Sequence, residues 1–228
     1  IIHKDYKELF KNNPEVTVQY AGKLAFYPNR DSLNYLPVYK LEQAATFLRT
    51  TLRHPFFCVG WNAIAQAGLS NDTDVLNINQ LTFKEWSAPI IPFIDEDNKV
   101  LLEYLGLFDQ SLVPIDVKTS ADILQHLLET RLMMQPHDKD MIVMLHEIEY
   151  KLDGKNHKIE SSLIVKGKDH LRTAMAKTVG LPLGIAAKLI LNGTIQLTGI
   201  HIPTIPEIYG PVLSELEKAG ICFVENHI

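Results

Sequence analysis

Met141-Ile142-Val143-Met144-Leu145-His146-Glu147-Ile148-Glu149-Tyr150 and Lys158-Ile159-Glu160-Ser161-Ser162-Leu163-Ile164-Val165 lie on either side of Asp153-Gly154. Both runs are apolar and rich in β-branched residues, and Asp-Gly accepts the positive φ angles that a tight hairpin demands. A long β-hairpin is therefore expected. Met141 to Leu145 is apolar without alternation, which predicts a strand covered on both faces.

Beyond the hairpin the pattern turns helical. Leu171 to Val179 and Pro182 to Leu191 read as two helices separated by Gly180-Leu181, with Pro182 at a first helical position and Gly193 past the end. Ala174, Ala176, Gly184, Ala186 and Ala187 make them thin enough for close approach of another element. Pro206 to Ala219 reads as a further helix closed by Gly220, and Ile221 to Val224 as a last strand. On the N-terminal side, Val16 to Tyr20 and Lys23 to Tyr27 alternate around Ala21-Gly22 as a second hairpin, which Pro28 ends. Leu41, Ala44, Ala45, Leu48 and Leu52 follow a helical period, so Leu41 to Leu52 is expected as an amphipathic helix. Pro55 marks a break, and Phe56 to Ala67 is a helix capped by Gly68. After a polar loop, Asn71 to Asn79, come three more helices: Thr82 to Phe93, Val100 to Phe108, and Ala121 to Met134 with Ser120 as N-cap. Trp86 and Tyr104 are expected to pack against helices. The order of elements predicts an α+β fold with a mixed sheet.

Composition excludes several classes. The 228 residues carry a formal net charge of −5, and no basic stripe offers a nucleic-acid or anionic-membrane footprint. No run of about 18 uninterrupted apolar residues occurs, so no membrane span is expected. Two cysteines in unrelated contexts, Cys58 and Cys222, fit a reducing compartment. A chain that opens on Ile1 is expected to be a piece of a longer polypeptide.

Chemistry-bearing residues are sparse. No Gly-x-Gly-x-x-Gly follows a strand, so the loop that cradles a dinucleotide is missing. His146, His157, His170 and His201 lack the spacing of a zinc signature, and no metal site is expected. Ser161-Ser162 has no nucleophile-elbow context, while Glu147, Glu149 and Glu160 read as charges on a solvated sheet face. What stands out is Tyr27-Pro28-Asn29-Arg30-Asp31-Ser32 followed by Thr50-Thr51-Leu52-Arg53-His54-Pro55. Two readings are open for Arg30 and Arg53. They form surface ion pairs, or they are planar forks that capture the carboxylates of one ligand.

Collinear blocks along the chain narrow the choice. Thr173-Ala174-Met175-Ala176-Lys177-Thr178-Val179-Gly180-Leu181-Pro182, Ile185 to Leu191, Glu207-Ile208-Tyr209-Gly210-Pro211-Val212-Leu213, Lys139-Asp140-Met141-Ile142-Val143-Met144 and both arginine segments resemble the C-terminal region of saccharopine dehydrogenases. The likeness is especially close to the saccharopine dehydrogenase half of the bifunctional aminoadipic semialdehyde synthases, with a free-standing bacterial or fungal enzyme as the alternative. It implies an oxidoreductase of lysine metabolism that converts saccharopine to glutamate and 2-aminoadipate semialdehyde with NAD or NADP. It also implies a sheet like that of the C-terminal domain of glyceraldehyde-3-phosphate dehydrogenase, a helical insertion at about 55–135, and a homodimer. By the same resemblance, Arg30, Thr51, Leu52 and Arg53 contact saccharopine. The nucleotide and the proton-transferring lysine and aspartate belong to an N-terminal Rossmann domain that is missing here. No catalytic, cofactor-binding or metal-ligating residue is therefore assigned within 1–228, and the chain alone is expected to hold no cofactor. The location implied is cytoplasmic, or the mitochondrial matrix for a bifunctional animal-type enzyme. Two other functions stay open: a related carboxynorspermidine-type dehydrogenase, and a non-catalytic binding or dimerisation module.

Overall fold

In the computed structural model, which describes residue 1 and residues 3–228, the chain opens with strands β1 (Glu15–Val18) and β2 (Gly22–Pro28). A four-residue helix α1 (Tyr35–Val38) and strand β3 (Thr50–Arg53) follow. Next come α2 (Pro55–Gln66), α3 (Phe83–Ser87), a 3₁₀ turn over Ala88–Phe93, α4 (Glu96–Tyr104) and α5 (Ser120–Arg131). The remainder is β4 (Met141–Leu152), β5 (Lys155–Lys166), α6 (Ala174–Leu191), α7 (Pro206–Lys218) and β6 (Val224–His227). The chain divides into two units, residues 1–17, 23–30 and 48–133, and residues 18–22, 31–47 and 134–228.

The architecture is mixed α and β, but the expected mixed sheet is two three-stranded sheets, ordered β1-β2-β3 and β4-β5-β6. Each strand pairing with a described register is antiparallel. The tight turn at Asp153-Gly154 permits only that direction for β4 and β5, and the longer connections to β3 and β6 also return those strands antiparallel to β2 and β5.

Unit one is held by a helical core. Ile64, Phe83, Trp86, Ile90, Leu102, Leu107, Ile123 and Leu127 form one buried cluster. Helix starts are set locally. Thr82 and Glu85 form a reciprocal capping box for α3, and Thr119 and Asp122 do so for α5, each satisfying otherwise orphaned N–H groups. Thr119 thus takes the N-cap role expected of Ser120. Ser120 is instead buried, accepting from Trp86 Nε1 at 2.8 Å and donating to the Leu69 carbonyl at 3.1 Å. Ser120→Ala should destabilise the fold by about 1–3 kcal/mol, because the indole N–H loses its buried partner. Urea unfolding measures the loss. Trp86 sits in the core as expected, whereas Tyr104 is 67% exposed. The predicted helix over Thr82 to Phe93 changes to a 3₁₀ turn at Ala88, where Pro89 and Pro92 remove backbone donors.

Leu41 to Leu52 is not a helix. Residues 41–47 are turns and loop, and Thr50–Arg53 is a strand. Thr50 and Thr51 are β-branched, and pairing with the free side of β2 satisfies backbone groups that a helix would satisfy internally.

In unit two, Asp153 and Gly154 adopt φ of 51° and 76° and close the expected hairpin in register from Met141↔Lys166 to Leu152↔Lys155. Leu163, Val165, Ala174, Leu216 and Ile221 form its core, with Ile142, Leu181, Ile185 and Val212 packed against them. Ile221 is therefore a core residue before the last strand, which begins at Val224. The two helices expected around Gly180-Leu181 are one helix, α6, which runs through Pro182. α6 is long and apolar enough to cross a membrane by length and composition, with mean hydropathy 1.5. It carries Lys177 and Lys188 and packs on β4, β5 and α7, as a sheet-covering helix does. Met141 to Leu145 is covered on one face only. Ile142 points to the helical core, while the alternate face, with Val143, Leu145 and Ile164, is only partly buried and Met141 and Val224 are exposed.

Candidate functional site

All four residues singled out for ligand binding lie in unit one, at the β2–β3 ladder. Arg53 pairs with Ala25, Leu52 with Phe26, Thr51 with Tyr27 and Thr50 with Pro28. Residues opposite one another share a face and alternate along the strand. Thr51 and Arg53 therefore stand on one face with Tyr27, and the Leu52 side chain stands on the other. β3 is an edge strand, so one side of its backbone has no strand neighbour to satisfy it.

Arg30 lies just past the end of β2, held close to the β3 entry by the Asn29 N–H, which donates to the Arg49 carbonyl at 2.9 Å. Its φ is 37°, a left-handed conformation that costs a residue bearing a Cβ and that clusters at binding sites. Thr50 faces Pro28, so Arg53 is three positions along one strand and Arg30 two positions beyond the other. That sets the two backbones up to ~17 Å apart at ~3.4 Å per extended residue. The spacing suits carboxylates spread along an extended ligand better than one carboxylate gripped by both forks.

The surface ion-pair reading fails on contacts. Arg131 bonds Asp109 at 2.6 Å and Arg172 bonds Asp169, but among the described residues no carboxylate pairs with Arg30 or Arg53. Arg53 is nevertheless fixed. Its Nη1 donates to the Leu52 carbonyl at 3.3 Å, and its guanidinium carbon lies 5.3 Å from the centre of the Phe57 ring. Beneath it, burial pushes the Cys58 thiol pKa up, with the Arg53 charge pulling the other way.

The start of α2 adjoins Arg53 but offers few free donors. Pro55 has no N–H, the Phe56 N–H donates to His54 Nδ1 at 3.4 Å, and the Phe57 N–H donates to the His54 carbonyl at 2.9 Å. The group with donors to spare at this corner is the Arg53 guanidinium.

Other side chains of interest have ordinary roles. His157 stacks on Tyr150 with ring centres 5.2 Å apart, and His201 bonds the Thr198 carbonyl. Glu147 pairs with Lys158 at 2.5 Å across the hairpin. Among the described residues no three His, Cys, Asp or Glu side chains gather as a metal site. An open cavity of about 300 Å³ between α6 and α7, lined by Lys188, Asn192, Thr194, Ser214 and Glu215, includes none of the four predicted residues. What sequence reasoning missed is an aromatic cluster behind Arg53. Phe10 meets Tyr27 edge-on at 4.9 Å, Phe57 at 6.0 Å and Trp61 at 6.0 Å. Phe57 and Trp61, four apart on α2, were a readable pair; Phe10, in a segment without periodicity, was not.

The family model described as saccharopine dehydrogenase C-terminal domain matches residues 1–221. This chain belongs to that family. Among relatives, it is 33% identical over 220 residues to the mitochondrial alpha-aminoadipic semialdehyde synthase of Mus musculus, covering 86% of this chain and 24% of that protein. It is 28% identical over 256 residues to the NADP(+), L-glutamate-forming saccharopine dehydrogenase of Schizosaccharomyces pombe, covering 100% of this chain and 56% of that one. A solved apo structure of the L-Glu-forming saccharopine dehydrogenase of Saccharomyces cerevisiae superposes with a TM-score of 0.85 at 26% identity, over 96% of this chain and 55% of that one. The chain thus spans about a quarter of the mouse relative and about half of the fungal ones.

Proposed function

We propose that this chain is the substrate-binding and dimer-forming part of a saccharopine dehydrogenase, L-glutamate-forming, acting with NAD or NADP in lysine metabolism. In the overall reaction, saccharopine, oxidised nucleotide and water become glutamate, 2-aminoadipate semialdehyde, reduced nucleotide and a proton. The observation that carries the reading is a pair of arginines at one small sheet, Arg53 on β3 and Arg30 just past β2, neither paired with a carboxylate among the described residues, in a chain of this family. Saccharopine is an extended molecule with three carboxylates. Arg30 and Arg53 would each take one as a charge-assisted bidentate pair, with the Thr51 hydroxyl and the Leu52 backbone beside them. Anchored at separated points, the substrate has its secondary-amine carbon held in one place, and positioning of this kind is a large share of what the protein contributes. The relatives' names favour this reading over a carboxynorspermidine-type substrate.

The residues present do not fit the nucleotide. Its pyrophosphate needs a glycine-rich turn between a strand and a helix of a parallel unit, and the strand pairings here are antiparallel. The nucleotide and the groups that move the substrate's proton are assigned to a Rossmann domain elsewhere in the polypeptide. The decisive assay supplies full-length protein with saccharopine and NADP or NAD, and follows reduced nucleotide together with glutamate. Absence of both products with either nucleotide would defeat the reading.

Residues 1–228 are taken as one functional region with a helical insertion at about 55–135. Its β4-β5-β6 sheet, backed by α6 and α7, is the part likened to the C-terminal domain of glyceraldehyde-3-phosphate dehydrogenase. The uncovered sheet face with Val143, Leu145 and Ile164 is assigned to a second copy, because an apolar run without alternation calls for cover on both sides. Ile164→Lys is expected to convert the full-length dimer to a monomer with unchanged helix content, read by sedimentation and circular dichroism. The location proposed is the cytoplasm, or the mitochondrial matrix, the mouse relative being named as mitochondrial.

A further inference from the structure

We infer that Phe57 is a positioning residue for Arg53, its ring holding the guanidinium in the geometry that receives a substrate carboxylate. This rests on the reading that Arg53 binds saccharopine. An exposed arginine without a carboxylate partner spreads over many rotamers, and ordering it at the moment of binding weakens affinity. Here the fork already has two contacts that favour one placement. One donor is spent on the adjacent Leu52 carbonyl at 3.3 Å, and the guanidinium carbon lies 5.3 Å from the Phe57 ring centre. The remaining N–H groups have no carboxylate to bond among the described residues.

The platform itself is held from behind. Phe57 lies 6.0 Å from Phe10 and 5.9 Å from Trp61, and Phe10 in turn meets Tyr27 at 4.9 Å. Tyr27 is the cross-strand partner of Thr51, so the stack runs under the same sheet face that carries Thr51 and Arg53. Backbone geometry fixes the rest. His54 caps α2 with its side chain and Pro55 starts it, placing Phe57 in the first turn, four residues after Arg53. The neighbouring Phe56 is 53% exposed, and among the described residues its one aromatic contact is with His54, at 5.1 Å. It is a built-in control.

The test uses the full-length enzyme with Phe57→Leu, Phe57→Met, Phe57→Tyr, Phe56→Leu and Arg53→Ala, and the Phe57→Leu, Arg53→Ala double variant. Loss of the ring is expected to raise the KM for saccharopine about 3- to 30-fold, the span of a cation–π contact. The kcat and the nucleotide KM should stay near wild type. Phe57→Tyr, which keeps a ring, and Phe56→Leu should both bind normally. In the Arg53→Ala background, Phe57→Leu should add nothing. Phe57→Met keeps apolar volume without the ring and so guards against a folding defect in the leucine variant. The inference is overturned if Phe57→Leu raises KM equally with and without Arg53. It also fails if Arg53→Ala raises KM while Phe57→Leu and Phe57→Met do not, and that result leaves the substrate site intact. Unchanged KM in Arg53→Ala itself removes the underlying reading instead.

Discussion

Arg53→Ala in the full-length enzyme is expected to raise the KM for saccharopine by about 10- to 100-fold, the range for hydrogen bonds to a charged group. Arg30→Ala should act similarly, because the ladder sets the two arginines apart and the proposal gives each its own carboxylate. Affinity for the nicotinamide nucleotide should remain near normal in both, since its site is proposed to lie outside this chain. A KM rise with kcat preserved would mark binding shared by ground state and transition state; a parallel fall in kcat would mean the carboxylate grip tightens as the reaction proceeds. Arg53→Lys is expected to recover little, since an ammonium has neither the planar fork nor the stacking surface that Phe57 meets. Arg30→Gly separates function from stability. With φ at 37°, glycine relieves a strained backbone, so thermal stability should hold or rise while KM rises as in the alanine variant. Normal saccharopine KM in both alanine variants would remove the site.

The second large effect concerns stability, at the junction of the long hairpin with α6. Asp140 immediately precedes β4, and its carboxylate accepts from the Ala174 N–H at 2.5 Å and the Met175 N–H at 2.8 Å. A negative group at a helix N-terminus satisfies orphaned donors and complements the helix dipole. Thr173 caps the same turn by accepting from the Ala176 N–H at 2.9 Å. Asp140→Ala should therefore cost about 2–3 kcal/mol, as two amides lose a charged acceptor, with Asp140→Asn intermediate. Gly167 closes the other side, donating to the Asp140 carbonyl at 2.9 Å. A Cβ there would stand 2.2 Å from Asp140 Oδ1, 3.0 Å from the Ala174 nitrogen and 3.2 Å from the Thr173 Cα. Two of those three neighbours are backbone, so Gly167→Ala must displace the start of α6 and is expected to cost at least as much as Asp140→Ala. Urea unfolding of each variant decides the matter; wild-type midpoints in both would refute this account of the junction. The same geometry gives Asp140, in one of the blocks that carried the family resemblance, a structural reason to be an aspartate.

Legibility followed the range of each interaction. The four-residue strand Thr50–Arg53 was misread as the end of a helix because Leu41, Ala44, Ala45, Leu48 and Leu52 repeat with a helical period. The competing partner, the open side of β2, lies more than twenty positions away. α6 was misread as two helices because Gly180 and Pro182 weaken a helix locally. Packing against β4, β5 and α7 carries it through. At the site, the residue types of Arg30 and Arg53 pointed to carboxylates. Their lack of ion-pair partners among the described residues, the left-handed Arg30 and the Phe57 platform appeared only in three dimensions.

By itself the sequence determined the features that single residues or adjacent pairs enforce. These are the Asp153-Gly154 turn, the left-handed Gly68 and Gly220 after helices, and the boundary that Pro55 sets at the start of α2. Allowed φ angles and missing donors are properties of the residue, whatever surrounds it. Tertiary structure alone decided which segment completes the β1-β2-β3 sheet, which face of β4 is covered and where the Arg53 guanidinium rests. Strand pairing and burial require partners distant in the chain, and the contact between Arg53 and Phe57, though only four positions apart, depends on how β3 turns into α2.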